Sequence, residues 1–255
     1  MNFSTLDLSI LWPALIAGVL VTATHVPLGI QVLNRGIVFI DLAIAQIAGL
    51  GVICADWVGF EPQGWGVQVA ALTAALAGAL ALTWTERHWP EVQEALIGVT
   101  FILAASGALI VLAANPHGAE HLKDLLVGQI LWVDPARLPL VAAAYAVILL
   151  AWFARGERLG RVGFYLLFAC AVTVSVQLVG LYLVFTTLIV PALATRRMVR
   201  HRIVAAYALG VAGYALGLVI SAVTDWPSGP AIVWVMSALA VCAFAVGPKA
   251  AAGAA

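Results

Sequence analysis

The chain is 255 residues long, 64% hydrophobic and only 9% charged, where a soluble domain carries about 25% charge. Its mean hydropathy of +1.08 excludes an ordinary water-soluble fold and predicts an integral membrane protein. Twelve Lys and Arg balance twelve Asp and Glu, so there is no basic surface to hold nucleic acid.

A helical span takes about 20 apolar residues. By that measure spans are predicted over 9–33, 36–55, 66–85, 92–114, 137–154, 203–223 and 229–247. The breaks carry turn residues: Asn34-Arg35-Gly36, Glu61-Pro62-Gln63-Gly64, Glu86 to Glu91, Asn115-Pro116-His117-Gly118, Arg155 to Arg161, and Asp225-Trp226-Pro227-Ser228-Gly229. Continuous runs of Ala, Leu and Val are unlike the short alternating segments of a sheet barrel, so the fold class is all-α. Asp7 and the lack of a basic residue before it do not make a signal peptide, and the first stretch is expected to be retained. Cys54, Cys170 and Cys242 lie far apart in apolar runs with no paired spacing, and read as buried small residues.

The apolar stretch 162–195 is too long for one span. Arg155, Arg158 and Arg161 precede it, and Arg196, Arg197, Arg200 and Arg202 follow it. Basic residues prefer the cytoplasmic side, so the segment is expected to go out and return, turning near Gln177 to Gly180. About 17 residues each way is the lower limit for spanning, which predicts short helices or a re-entrant pair and a total of eight to nine membrane helices in one domain over 1–255. With the C-terminus inside, Arg35, Arg87, the two arginine groups and Lys249 are cytoplasmic, while Lys123 and Arg137 are outside. That arrangement puts the N-terminus outside.

Residues 117–134 form an unusual outer connection. They begin polar and continue with Leu122, Leu125, Leu126, Ile130 and Val133 at helical spacing, as in an interfacial or re-entrant amphipathic helix. Pro135 and Pro139 restart the chain as a helix. There is no phosphate-binding GxxxxGK[ST] loop, so any ATP chemistry belongs to another chain.

Asp41 is the first candidate functional residue. Six residues past Arg35, it is expected about 9 Å into the membrane at 1.5 Å per residue, where a carboxylate is costly and marks a protein interior or a water-filled path. Gln46, on a different face, offers a neutral oxygen ligand or a cross-helix hydrogen bond. Glu94 reads as an acid complementing the start of its own helix, and His25 as a hydrogen-bonded packing residue. His117, Glu120 and His121 form HxxEH, a ligand set for Zn²⁺ or Mn²⁺ and a metalloprotease motif. Pro116 and Gly118 argue for the start of a loop instead, leaving an entrance metal contact or a solvated polar loop. Within the region 191–202, Pro191, Ala192, Ala194, Thr195, Arg196 and Arg197 read as a short helix at the cytoplasmic face, with proline at its first position. Such a helix is either a docking element for a partner or an ordinary positive-inside anchor.

VPLGIQVLNRGIVFIDLAIAQIAGLG, EALIGVTFILAASGALIV, HLKDLLVGQILWVDP, VGLYLVFTTLIVPALATRR and SAVTDWPSGPAIV occur in that order. In this the chain resembles the permease of the bacterial metal-importing (zinc/manganese/iron) ABC transporters, a type II importer architecture. The resemblance implies a homodimer in the bacterial inner membrane, two separate ATPase subunits, and a periplasmic or lipid-anchored metal-binding protein. It also implies a transport subunit that is not itself an enzyme, with a Zn or Mn ion as cargo and no permanent cofactor. Residues 191–199 would be the coupling helix, and Asp41 the aspartate of the metal path. Ala45 and Gln46 stand where the family commonly has a histidine, Phe101 or Ile102 near a second, and Gln129 where an acid often follows the outer helix's glycine. These departures keep two alternatives open: a metal chelate or other small solute as cargo, or a proton-coupled secondary carrier using Asp41. A membrane enzyme built on HxxEH is a more distant third.

Overall fold

A computed structural model describes residues 8–61, 64–112, 130–155, 160–198 and 200–246. Among these there are nine α-helices and no strand: α1 (Leu8–Arg35), α2 (Ile40–Trp57), α3 (Trp65–His88), α4 (Gln93–Leu112), α5 (Leu138–Arg155), α6 (Gly160–Val179), α7 (Leu181–Ala194), α8 (Arg202–Thr224) and α9 (Ser228–Val246). Eight are long and apolar enough to cross a membrane, and each falls on a predicted span. The long stretch divides at Gly180, inside the expected turn. The two pieces are unequal, however: α6 has 20 residues and α7 has 14. At 1.5 Å per residue α7 covers about 21 Å, short of a hydrocarbon core of about 30 Å.

Helices in lipid gain little from apolar contact alone and depend on close approach. One group packs around α7, which lies against α1, α8 and α9; a second packs around α2, which lies against α3, α4 and α6. In α8, Gly213 and Gly217 stand one turn apart where a methyl group would meet Met236 and the backbone of Ile232 in α9. Gly29 of α1 lies against the backbone carbonyl of Leu188 in α7. Pro27 is inside α1 and removes the N–H that would bond Ala23. The Tyr207 hydroxyl of α8 donates to the Ala23 carbonyl at 2.9 Å, making good that loss.

Of the cysteines, Cys54 and Cys242 are exposed and Cys170 is half-buried, correcting the expectation of burial. An apolar run buries a side chain in protein only on the face turned to other helices; these two face outward. Pro135 opens a 3-10 turn ahead of α5, capped by Asp134 Oδ1, which accepts from Ala136 N–H at 2.9 Å. Ile130 is buried and Trp132 exposed, while the rest of the outer connection through 129 lies outside the described residues.

Candidate functional site

The turn between α1 and α2 decides where Asp41 lies. Gly36 takes φ +71°, and the Ile40 N–H bonds the Ile37 carbonyl at 3.2 Å before α2 begins at Ile40. Asp41 is therefore in the first turn of its helix, not six residues into it, because residues 36–39 are spent on the turn. Its carboxylate still enters the protein: the residue is 0% exposed, no side chain partners either oxygen, and the backbone N–H groups of Asp41 and Leu42 in the same helical turn lie near them. The helix N-terminus favours negative charge there, but burial of an unpaired carboxylate remains costly.

Glu94, in the first turn of α4, joins the same place. Its Oε1 accepts from the Phe39 N–H at 3.2 Å, so it serves the start of α2 rather than only its own helix. Its Oε2 is buried without a side-chain partner. Next to it, Gln93 is buried and ties three helices together. Its amide donates to the Leu82 carbonyl at 3.0 Å and the Tyr165 hydroxyl at 3.2 Å, and its oxygen accepts from Thr85 Oγ1 at 2.9 Å. Arg35 lies 4.3 Å from the Phe164 ring centre, and Arg161 is 3.7 Å from Glu86.

Gln46 is half-buried and stands about 140° round the helix from Asp41 by helical geometry, so the two do not converge on one ion. His25 is fully buried; its Nδ1 lies 3.0 Å from both the Val21 carbonyl and Thr24 Oγ1. Its Nε2 is buried without a partner, so the hydrogen-bonded packing expected of it is seen at one ring nitrogen only. Further polar pairs lie inside the bundle: Tyr145 with Ser175 at 2.5 Å, and Thr187 with Tyr214 at 2.8 Å. His117, Glu120, His121 and Gln129 lie outside the described residues. Among those described, no three His, Cys, Asp or Glu side chains group as a metal site.

The segment assigned to coupling has a different form from the one expected. Pro191, Ala192 and Ala194 belong to the last turn of α7, so Pro191 is not at a helix start. A proline near a helix C-terminus sacrifices one hydrogen bond, and its sequence neighbourhood resembles that of an initiating proline. Thr195, Arg196 and Arg197 form the turn that follows. Thr195 Oγ1 closes it by donating to the Pro191 carbonyl at 2.8 Å. The guanidinium groups of Arg196 and Arg197 lie 5.7 and 4.0 Å from the Phe244 ring centre of α9. Glu94's partner and Phe244's role are absent from the sequence reading; the one available signal was an acid beside Gln93 at the head of an apolar run.

A polytopic all-α membrane protein, with a buried acid where two of its helices begin, is the class these features define. The chain belongs to the ABC 3 transport family, whose match covers residues 7–162 and 156–247, and it is a multi-pass transport subunit of a bacterial inner membrane. It is 24% identical over 246 residues to the high-affinity zinc uptake system membrane protein ZnuB of Haemophilus influenzae, covering 88% of this chain and 92% of that protein. It is 26% identical over 246 residues to an uncharacterized membrane protein of Synechocystis, covering 88% and 86%. Its fold matches a chain in the structure of PsaBC from Streptococcus pneumoniae in complex with Fab, with a TM-score of 0.76 at 20% identity over 94% of this chain and 92% of that one.

Proposed function

We propose that this chain is the translocation subunit of an ATP-driven importer of divalent transition metal ions, zinc or manganese, working as a homodimer. Two copies of a separate ATPase supply the energy, and a periplasmic or lipid-anchored binding protein delivers the ion. The observation that carries this reading is Asp41, a fully buried carboxylate with no side-chain partner, in a family member whose relative is named for zinc uptake. An intramembrane acid is retained for a reason, and a single carboxylate suits passage because tight binding would obstruct release. The basic ends of α1, α3 and α5, and the Arg196-Arg197 turn after α7, face the cytoplasm, following the positive-inside preference. The turn through Arg196 and Arg197, with Pro191 to Thr195 leading into it, meets the ATPase and couples hydrolysis to opening. His117, Glu120 and His121 serve as an entrance contact for the ion.

The test is ATP hydrolysis and ion uptake in proteoliposomes holding this chain and its co-expressed ATPase. The binding protein is added empty or loaded with Zn²⁺ or Mn²⁺. Stimulation by one loaded form identifies the cargo. Stimulation by a metal chelate alone would replace the free ion as cargo, and uptake without any associated ATPase would overturn the reading in favour of a secondary carrier.

A further inference from the structure

The turn that leads into α2 is held from outside at one residue. Phe39 immediately precedes the helix, with its backbone at φ −94° and ψ +9°, and its side chain makes no cap. In a capping box the third helical residue returns a carboxylate to that N–H; in α2 the third residue is the apolar Leu42. Glu94 of α4 takes over the task, its Oε1 accepting from the Phe39 N–H at 3.2 Å. The ring of Phe39 is held separately, by another helix. It stacks on Phe185 of α7, with centroids 6.5 Å apart and planes within 7° of parallel. Phe39 is 49% exposed, so burial in the core does not account for where its ring lies.

Phe185 lies in the first half of α7, and the turn through Arg196 and Arg197 follows its last residue. The helix covers about 21 Å, and Thr195 closes its end onto the Pro191 carbonyl at 2.8 Å. A push on that turn therefore displaces Phe185 with it. Offset parallel rings keep their contact as they slide. Phe39 is thus gripped through its N–H by α4 and drawn through its ring by α7, and Asp41 follows two residues later in the first turn of α2. We infer that Phe39 is a positioning residue for the ion path: its stack on Phe185 passes displacement of α7 to the first turn of α2, and so sets the Asp41 carboxylate. Under the importer reading, on which this role rests, the displacement starts at the ATPase and Asp41 meets the ion.

The test compares the parent with Phe39→Leu, Phe185→Leu, the double variant and Phe185→Tyr, all as full chains. In lipid nanodiscs, hydrogen–deuterium exchange follows the amides of Phe39, Ile40 and Ala43, which bond Glu94, the Ile37 carbonyl and the Phe39 carbonyl. Phe185→Leu is expected to speed their exchange by up to about tenfold, the worth of an aromatic pair. Phe185→Tyr is expected to leave it unchanged. Each chain is then assembled with its co-expressed ATPase in proteoliposomes and given binding protein loaded with Mn²⁺ or Zn²⁺. Either leucine variant is expected to carry severalfold fewer ions per ATP hydrolysed, at an unchanged KM for the loaded binding protein. The double variant is expected to be no worse than either single one, because the two rings act as a unit. Unchanged amide exchange in Phe185→Leu overturns the joint, whatever transport shows. So do losses that multiply in the double variant, or uptake and hydrolysis that fall together with the melting temperature. Faster exchange in Phe185→Leu, with no ATP-linked uptake of either ion by the parent, overturns the importer reading and leaves the joint standing.

Discussion

The guanidinium of Arg197 lies 4.0 Å from the centre of the Phe244 ring, and Arg196 shares that ring at 5.7 Å. The turn that ends α7 is thereby fastened to the last helix of the bundle, α9. Exposed cation–π contacts contribute about 0.5–1 kcal/mol each, enough to hold an orientation but not a fold. Phe244→Ala is expected to leave the melting temperature nearly unchanged while lowering ATP hydrolysis stimulated by the loaded binding protein. Phe244→Tyr should retain it. Equal stimulation in all three proteins would remove this contact from the coupling path.

The Tyr207 hydroxyl and the Ala23 carbonyl make a prediction about stability. Tyr207→Phe strands a carbonyl already deprived of its helical partner by Pro27, at a cost of about 1–3 kcal/mol. Pro27→Ala restores an N–H one helical turn away. The Tyr207→Phe/Pro27→Ala double variant should therefore recover much of the loss, and thermal unfolding of the four proteins in one detergent gives the coupling. Strictly additive effects would contradict the compensation.

Gly180 joins α6 to α7 at φ +84°, ψ +161°, a region open essentially to glycine alone. Gly180→Ala should destabilise the protein by about 1–3 kcal/mol, read as a lower melting temperature or poor recovery from the membrane. A wild-type melting curve would mean that the joint takes another conformation.

Gly29 and Gly98 offer a contrast within one protein. A methyl group at Gly29 would strike the Leu188 carbonyl, whereas at Gly98 it meets nothing within 4 Å. Gly29→Ala should be clearly destabilising. Gly98→Ala should be neutral or stabilise α4 by up to about 1 kcal/mol through helix propensity. Loss of stability at Gly98 would reveal a neighbour pressed against that face in the assembled protein.

The helices were legible because a bilayer demands long apolar runs, and the break near Gly180 because arginines at both ends of 162–195 forced a return. Hydropathy does not distinguish a tight turn from a helical turn, so it counts residues 36–39 as helix and sets Asp41 a turn further into α2 than it lies. It also reads Pro191 equally well as a helix start or a helix end. The partner of Glu94 was illegible for a different reason: Phe39 is fifty-five residues away, and only the packing of α4 on α2 brings them together. His25, by contrast, bonds to Val21 and Thr24 on its own helix, so its packing role could be read locally.

The brevity of α7 has an electrical consequence. A membrane voltage falls mainly across whatever insulates, and the most enclosed helix of this bundle provides only about 21 Å of it. If water reaches both ends of α7, the same voltage drops over roughly two-thirds of the usual hydrocarbon thickness. A cation moving along that helix then crosses a field about 1.4 times as steep for the same work per charge. Displacements of a few ångströms in this part of the protein would carry a disproportionate share of the transmembrane work.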